Sequence, residues 1–344
     1  MTTRSFILLL AALALAPSGA LAGAEQVLVV INTQSEASRT IGAYYAAKRA
    51  VPSANICRIS VDPARKIARA DYHSKIRKPV LDCIKKRKLT KVDYILTTRG
   101  VPLMDDRGFS VDSLLTRLAF GTDTQMMNPY FGRSERFDSG RFHMYLVTRL
   151  DGYTTADAKA LVDRSLKAGG KRGKFLLDLD PGQDNRAGYV NLNQDIRAGV
   201  LRLMERGIPY IFESTSLFAG GHTGLMGYYS WGSNDMHFSR KNYLSNRFVP
   251  GAIGETIVST SARSFTPETT GQSQIGDLIR NGITGVKGYT TEPYGTSMAK
   301  AAILFDRYTL GYNLAEAFYM ASPFMCWKDV VIGDPLCAPY AIKK

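Results

Sequence analysis

The sequence has few of the residues that build metal and redox centres. Its 344 residues include four histidines and four cysteines, and neither the C-x-x-C nor the H-E-x-x-H spacing of zinc and redox sites occurs. We therefore expect neither a bound metal ion nor a cofactor. Beyond the N-terminal segment there is no run of about 18 uninterrupted apolar residues, so we expect no membrane-spanning segment in the mature chain.

The first 22 residues have the pattern of a secretory signal peptide. Arg4 supplies a positive charge, Phe6 to Ala16 is an apolar run, and Ala20-Leu21-Ala22 is a small-residue cleavage site. The run is shorter than the roughly 20 residues that span a bilayer, which disfavours an uncleaved anchor. We expect a periplasmic or extracellular protein, and we expect no nucleic-acid partner.

Four cysteines, Cys57, Cys83, Cys326 and Cys337, remain in an exported chain, where disulfides are permitted. Four cysteines allow three pairings, and the sequence does not choose among them. Cys326 and Cys337 are close enough in sequence for a local disulfide.

Positive charge is concentrated in one segment. The chain has a formal net charge of +14, and residues 65–91 hold eleven Lys and Arg against two acidic residues. One interpretation is a solvated helix face with apolar residues on its other side. The alternative is a site for an anionic polymer or surface.

Strands and helices alternate along the chain. Apolar runs at Val27–Ile31, Ile56–Val61 and Val92–Thr98 are separated by helical stretches, which predicts right-handed crossovers and a mostly parallel sheet. The alternation restarts after the glycine-rich linker at 169–173. We therefore predict two consecutive α/β subdomains, residues 23–170 and 171–344, after a signal peptide at 1–22. In the second half we predict strands at 175–179, 209–212, 225–230, 252–259, 285–289 and 330–332.

Two predicted strand ends carry polar clusters. Ligands of open α/β sheets bind outside the carboxyl ends of strands, so these clusters are the candidate binding cleft. Its candidate residues are Ser230, Trp231, Asn234 and Asp235 after one strand, and Ser259 and Arg263 after the next. Trp231 could stack on a sugar or aromatic group. Glu292, after the strand ending at Tyr289, could face Arg263 across the same sheet edge.

The hydroxyl groups of Thr260 and Ser261 are weak catalytic candidates. A serine or threonine nucleophile needs a base within hydrogen-bond reach, and the nearest histidines in sequence are His222 and His237. The G-x-S-x-G elbow of serine hydrolases does not occur.

The sequence resembles a family of exported bacterial proteins found in species with exosortase sorting systems. The segments that carry the resemblance include Gly227 to Asp235, Pro250 to Thr256 and Gly333 to Tyr340. The resemblance implies a role in a surface or exopolysaccharide pathway. Residues 338–344 lack the hydrophobic segment of a sorting signal, so we expect an accessory protein.

The order of elements is also similar to gingipain-type cysteine peptidases, which have a caspase-like fold. The matching points include Ser110 to Asp112, Val147 to Leu150 and Ser259 to Phe265. In those peptidases the loop matching Ser230-Trp231-Gly232 carries the histidine base, and the nucleophilic cysteine falls near Thr260 or Ser261. Neither catalytic residue is retained here. The resemblance therefore implies a non-peptidase that binds a peptide or glycan in the cleft. The alternatives are a hydrolase with a Ser or Thr nucleophile and a polyanion-binding protein.

Overall fold

The computed structural model describes residues 21–121, 123–169 and 173–342. A π-helical segment, Tyr72–Arg77, joins the helices Arg69–Asp71 and Lys78–Lys86. The strands are β1 Val27–Asn32, β2 Ile56–Ile59, β3 Lys66–Ile67, β4 Tyr94–Thr98, β5 Met104–Asp105, β6 Met126–Met127, β7 Leu146–Leu150, β8 Lys174–Asp178, β9 Tyr210–Glu213, β10 Leu225–Ser230, β11 Phe248–Thr256, β12 Gly285–Tyr289, β13 Phe324–Met325 and β14 Asp329–Ile332. The helices are α1 Glu36–Arg49, α2 Arg69–Asp71, α3 Lys78–Lys86, α4 Val111–Leu115, α5 Ser139–Phe142, α6 Thr155–Lys167, α7 Val190–Glu205, α8 Arg240–Ser245, α9 Ile275–Arg280, α10 Ala301–Thr309 and α11 Leu314–Ala321.

One ten-stranded sheet runs through the molecule in the order β2-β1-β4-β7-β14-β12-β11-β10-β8-β9. β14 pairs antiparallel with β12 and meets β7 at one residue pair, Ile332 and Arg149. The remaining neighbours pair parallel. The predicted α/β class with a mostly parallel sheet is confirmed. The two halves contribute to one continuous sheet, and the subdomain division at residue 170 stays a prediction.

Burial explains why these segments form strands. All six residues of β1 and all six of β10 are buried, which matches the continuous apolar runs of parallel strands covered on both faces. Helix α1 begins where the Ser35 side chain accepts the backbone N–H of Ser38. Helix α6 begins at a capping box formed by Thr154 and Asp157. Both helices start a few residues after a strand ends, as crossover helices do.

The loops that follow first-half and second-half strands meet at one edge of the sheet. Arg65, in the segment after β2, donates from Nη1 to the carbonyl of Arg263 at 3.0 Å. Arg99, directly after β4, donates from Nη1 to the carbonyl of Phe265 at 3.3 Å. Arg263 and Phe265 both belong to the loop after β11. The junction of the two halves is therefore built from strand-end loops.

A disulfide joins Cys57 in β2 to Cys83 in α3. Cys326 and Cys337 are free thiols and both are buried. The local disulfide between Cys326 and Cys337 that the sequence allowed is therefore wrong. Cys326 precedes β14 and Cys337 follows it, so the intervening strand separates them.

None of the helices in the described part of the chain is long and apolar enough to cross a membrane. The predicted signal peptide, residues 1–22, lies outside the described residues except for its last two. Residues 170–172 of the predicted linker also lie outside them.

Candidate functional site

Trp231, at the end of β10, lies in the core. Its side chain is 0% exposed, and its indole N–H donates to Asn193 Oδ1 at 2.7 Å. Ser230 is also buried, and its hydroxyl donates to the Tyr228 hydroxyl at 2.8 Å. The indole presents no face to a ligand, which corrects the stacking role suggested by the sequence. A buried Trp N–H needs an acceptor, and Asn193 supplies it.

Asn234 and Asp235 hold the loop after β10 in place. Asn234 Nδ2 donates to the carbonyl of Ile257 at 2.7 Å, which ties this loop to the end of β11. Asp235 accepts the backbone N–H of His237 at 2.7 Å. Burial raises the pKa of Asp235. Both predicted binding residues are thus used in bonds within the chain.

Among the described residues, no basic side chain is hydrogen-bonded to the Thr260 hydroxyl or the Ser261 hydroxyl in the cluster after β11. Thr260 Oγ1 donates to Gln272 Oε1 at 2.6 Å, and Ser259 is buried. Ser261 Oγ is buried and makes no hydrogen bond to any described residue. A hydroxyl becomes a nucleophile only when a base can take its proton. The arrangement therefore gives Ser261 and Thr260 no means of activation.

The two candidate histidines lie away from these hydroxyls. His222 precedes the amino end of β10, where its carbonyl accepts the backbone N–H of Arg247. Ser261 follows β11, which runs parallel to β10. His222 and Ser261 therefore lie at opposite ends of these strands, separated by the six residues of β10, or about 20 Å. His237 lies in the loop after β10, on the same edge as Ser261. In the described part of the chain, neither the Thr260 hydroxyl nor the Ser261 hydroxyl is hydrogen-bonded to the His237 imidazole.

Arg263 pairs within its own loop. Its Nη2 and Nε lie 2.6 Å and 2.9 Å from Glu268 Oε2. The predicted pairing of Arg263 with Glu292 across the sheet edge is wrong, because Arg263 pairs with Glu268. Glu292 is exposed, and its carbonyl accepts from the Lys328 ammonium. Glu268 is only five residues from Arg263, so the local partner neutralises the guanidinium.

The free thiols are not nucleophiles either. Burial raises the pKa of Cys326 to about 12 and that of Cys337 to about 11. Only a thiolate attacks efficiently, and at neutral pH both groups stay protonated. Among the described residues, then, no cysteine is set up for peptidase chemistry.

A second feature of the same sheet edge is a cleft of about 290 Å³ between the two halves. We call it the arginine cleft. It opens between the loop after β11 and the loops after β1, β2, β4 and β7. Its lining includes Arg65, Arg99, Arg149, Asp151, Val101, Leu103 and Phe265.

Arg149 is buried, and its hydrogen bonds hold one wall of the arginine cleft in place. Its guanidinium meets Asp112 through two bonds, Nε to Oδ2 at 2.6 Å and Nη2 to Oδ1 at 2.9 Å. The remaining donors reach the carbonyls of Val101 and Pro102 at 2.9 Å and 3.0 Å. Burial lowers the pKa of Arg149, but Asp112 and Asp151 outweigh it and raise that pKa overall. The ion pair therefore holds a charged side chain and the backbone after β4 together.

Arg99 crosses the junction of the halves. Its Nη1 donates to Asp151 Oδ1 at 2.9 Å, to the carbonyl of Phe265 and to the carbonyl of Gly152. Burial raises the pKa of Asp151, and Arg149 and Arg99 oppose that rise. Among the described residues, Arg99 Nε and Nη2 have no hydrogen-bond partner, so these donors are free.

The arginine cleft was not predicted from the sequence. Arg99 and Arg149 each stand at the end of a predicted strand, and adjacent carboxyl ends of parallel strands were the available signal. A lone arginine after a strand, however, is usually a solvent-facing charge. Only the pairing of β4 with β7 shows that the two arginines are neighbours.

No protein-family model matches the sequence, and no curated protein matches it. Among solved structures, the complex of Porphyromonas gingivalis RgpB pro- and mature domains is similar, with a TM-score of 0.52 and 10% identity over 91% of this chain and 79% of that chain. A protease structure has a TM-score of 0.49 and 10% identity, covering 92% and 79%. The fold is therefore gingipain-like. At 10% identity the likeness concerns the fold and not the activity.

Proposed function

We propose that this chain is an exported accessory protein that binds a peptide or glycan and does not cleave it. The observation that carries the proposal is the burial and hydrogen bonding of the Trp231 side chain. By the resemblance, gingipain-type peptidases place their histidine base at this position. An indole cannot accept a proton, and here its N–H is already donated to Asn193.

The hydroxyl cluster supports the same conclusion. By the resemblance, the nucleophile position of the peptidases falls near Thr260 or Ser261. Thr260 donates its hydroxyl to Gln272, and the Ser261 hydroxyl is buried without a partner among the described residues. An open feature of this sheet edge is the arginine cleft, which has free donors and a lining of both apolar and hydroxyl side chains. Asp151, the carboxylate of its lining, is paired with Arg99 and Arg149, and such a cleft suits binding better than hydrolysis.

Export and pathway belong to the proposal as well. The N-terminal pattern of residues 1–22 supports export, and the disulfide between Cys57 and Cys83 suits an oxidising compartment. The link to an exosortase-associated surface or exopolysaccharide pathway rests on the sequence resemblance.

A substrate and retention screen tests the proposal. Purified protein lacking residues 1–22 is incubated with mixed peptides and esters, next to the variants Ser261→Ala and Thr260→Ala, and products are read by mass spectrometry. We expect intact substrates with all three proteins, and retention of some intact peptides on the immobilised chain. Cleavage by the wild type that disappears in Ser261→Ala or in Thr260→Ala would overturn the proposal in favour of a hydrolase with a Ser or Thr nucleophile.

A second candidate function, polyanion binding, is favoured by the basic segment at 65–91. Arg69, His73, Arg77 and Arg107 line a shallow cavity of about 440 Å³ around Asp123. The Cys57–Cys83 disulfide holds the helix of this segment against β2. An anionic polymer bound there would be attracted over a surface, so its binding should weaken with salt.

Chromatography on a carboxylated or sulfated polysaccharide tests this second function. We expect retention that falls as salt rises, and earlier elution for the double variant Lys85→Gln, Lys88→Gln than for the control Lys241→Gln. All three lysines are exposed, so none of the variants should disturb the fold. Retention that is absent, or unchanged by the double variant, would remove the basic segment as a polyanion site.

A further inference from the structure

The arginine cleft retains one positive charge. Asp112 pairs with Arg149 at 2.6 Å, and Asp151 pairs with Arg99 at 2.9 Å. Arg65 is exposed and donates only to the carbonyl of Arg263, and of the described carboxylates none lies within ion-pair distance of it. Two of the three guanidinium charges in the lining are thus neutralised within the chain. The cleft is matched to a ligand with one negative charge.

Two guanidinium groups keep free donors. Arg65 and Arg99 each use Nη1 within the chain, and among the described residues their Nε and Nη2 atoms make no hydrogen bond. Nε and Nη2 of one guanidinium form the fork that binds a carboxylate through two parallel bonds. Charge-assisted bonds of this kind are about twice as strong as neutral ones. The free donors therefore favour a planar carboxylate.

The remaining lining combines apolar side chains with the hydroxyls of Ser35, Ser264 and Thr266, and the space is small. Val101, Leu103 and Phe265 line the cleft beside the arginines. A volume of about 290 Å³ is at the lower end of the range for ligand pockets, roughly 300–1,000 Å³. Such a site accommodates one acidic group on a short aliphatic stem.

The walls favour a peptide side chain over an acidic sugar. Phe265 is the aromatic residue in the lining, and only 7% of it is exposed. It offers almost no ring face for a sugar to stack on. A glutamate side chain needs the guanidinium donors at its end, and the small exposed areas of Val101 and Leu103 are enough for its two methylene groups.

We propose that the arginine cleft binds an acidic side chain, glutamate in particular, of a peptide ligand, with Arg65 and Arg99 as the recognising residues. This inference rests on the proposed function, because it names the chemistry of the ligand that the proposed binding protein would take. Arg149 acts as a positioning residue, since its donors are all used to hold Asp112 and the carbonyls of Val101 and Pro102.

Titration calorimetry with matched ligands tests the inference. Two degenerate peptide libraries of equal length carry either Glu or Gln at one fixed position, and N-acetylglutamate α-amide is the small probe. The proteins are the wild type, Arg65→Gln and the control Arg58→Gln. Arg65 and Arg58 are both exposed, so both variants should fold. We expect the wild type to bind the Glu library about 10- to 100-fold more tightly than the Gln library.

The variants test whether Arg65 is the residue that recognises the glutamate carboxylate. Arg65→Gln should weaken binding of the Glu library by a similar factor and leave the Gln library unchanged, whereas Arg58→Gln should change neither. Equal binding of both libraries, unaffected by Arg65→Gln, would overturn carboxylate recognition while the proposed binding function survives.

The small probe separates the remaining outcomes. If neither library binds but the probe binds in an Arg65-dependent way, the carboxylate site stands and the peptide-binding function fails. If the probe does not bind either, both are overturned. Arg65-dependent competition by a galacturonate oligomer in place of any peptide would assign the site to an acidic glycan and contradict the inference.

Discussion

The buried ion pair between Asp112 and Arg149 is expected to hold the arginine cleft in shape, and Asp112→Asn tests this. Both side chains are at most 2% exposed, and the carboxylate makes two bonds to the guanidinium and one to Thr97 Oγ1. Removing one partner of a buried ion pair leaves an uncompensated charge, which costs about 3–5 kcal/mol. Asp151 Oδ2 remains 3.5 Å from Arg149 Nη1. Because this second carboxylate compensates in part, we expect a loss of about 3 kcal/mol.

Urea unfolding at neutral pH, followed by tryptophan fluorescence, measures that loss. The matched comparison is the double variant Asp112→Leu, Arg149→Met, which removes both charges and keeps apolar volume. Replacing a buried ion pair by apolar residues is often neutral or stabilising, so the double variant should be more stable than Asp112→Asn. The m-value should not change, since the folded state keeps its compactness.

Two results would refute this reasoning. An Asp112→Asn variant within about 0.5 kcal/mol of the wild type would mean that the guanidinium does not depend on its partner. A double variant that loses as much as the single variants Asp112→Leu and Arg149→Met lose together would mean that the two residues are not coupled.

Three further predictions concern stability. Burial raises the pKa of Asp178 to about 8, above the unfolded value of about 3.9, so the folded state keeps a proton that the unfolded chain releases. The free energy of unfolding should therefore fall from about pH 4 to pH 8 by up to about 1.4 kcal/mol per pH unit. Asp178→Asn should flatten this slope in urea unfolding. An unchanged slope would contradict the assignment of the slope to Asp178. Replacing Cys57 and Cys83 by alanine should cost about 3–4 kcal/mol for a loop of 26 residues, and a melting temperature insensitive to the change would contradict it. Trp231→Phe leaves Asn193 Oδ1 without its donor and should cost about 1–3 kcal/mol, while a neutral result would show that water replaces the indole.

The strands were readable from the sequence because their side chains are buried on both faces. β10 at Leu225–Ser230 and β12 at Gly285–Tyr289 fall at the predicted positions, and every residue of both strands is buried. Helix α10, Ala301–Thr309, was not predicted. Its N-terminus has no capping side chain of its own, and Asp195 of helix α7 accepts the N–H of Ala301 at 2.8 Å. A cap supplied from about 100 residues away leaves no local signal.

The site was less predictable than the fold. The carboxyl ends of β10 and β11 were expected to carry polar side chains, and they do, but the structure uses Asn234 and Thr260 to hold the loops. Burial of Trp231 depends on Asn193 in α7, a contact across 38 residues of sequence. The free donors of Arg99 depend on how β4 lies beside β7. Each of these properties is set by tertiary packing, which residue spacing does not encode.

The most direct test of the binding role is a crystal structure of the chain with a glutamate-containing peptide. We expect an intact peptide whose glutamate carboxylate lies within hydrogen-bond distance, about 2.7–2.9 Å, of Arg65 and Arg99 nitrogens. A peptide bound on the basic segment at 65–91, or an acyl group attached covalently to Ser261, would contradict it.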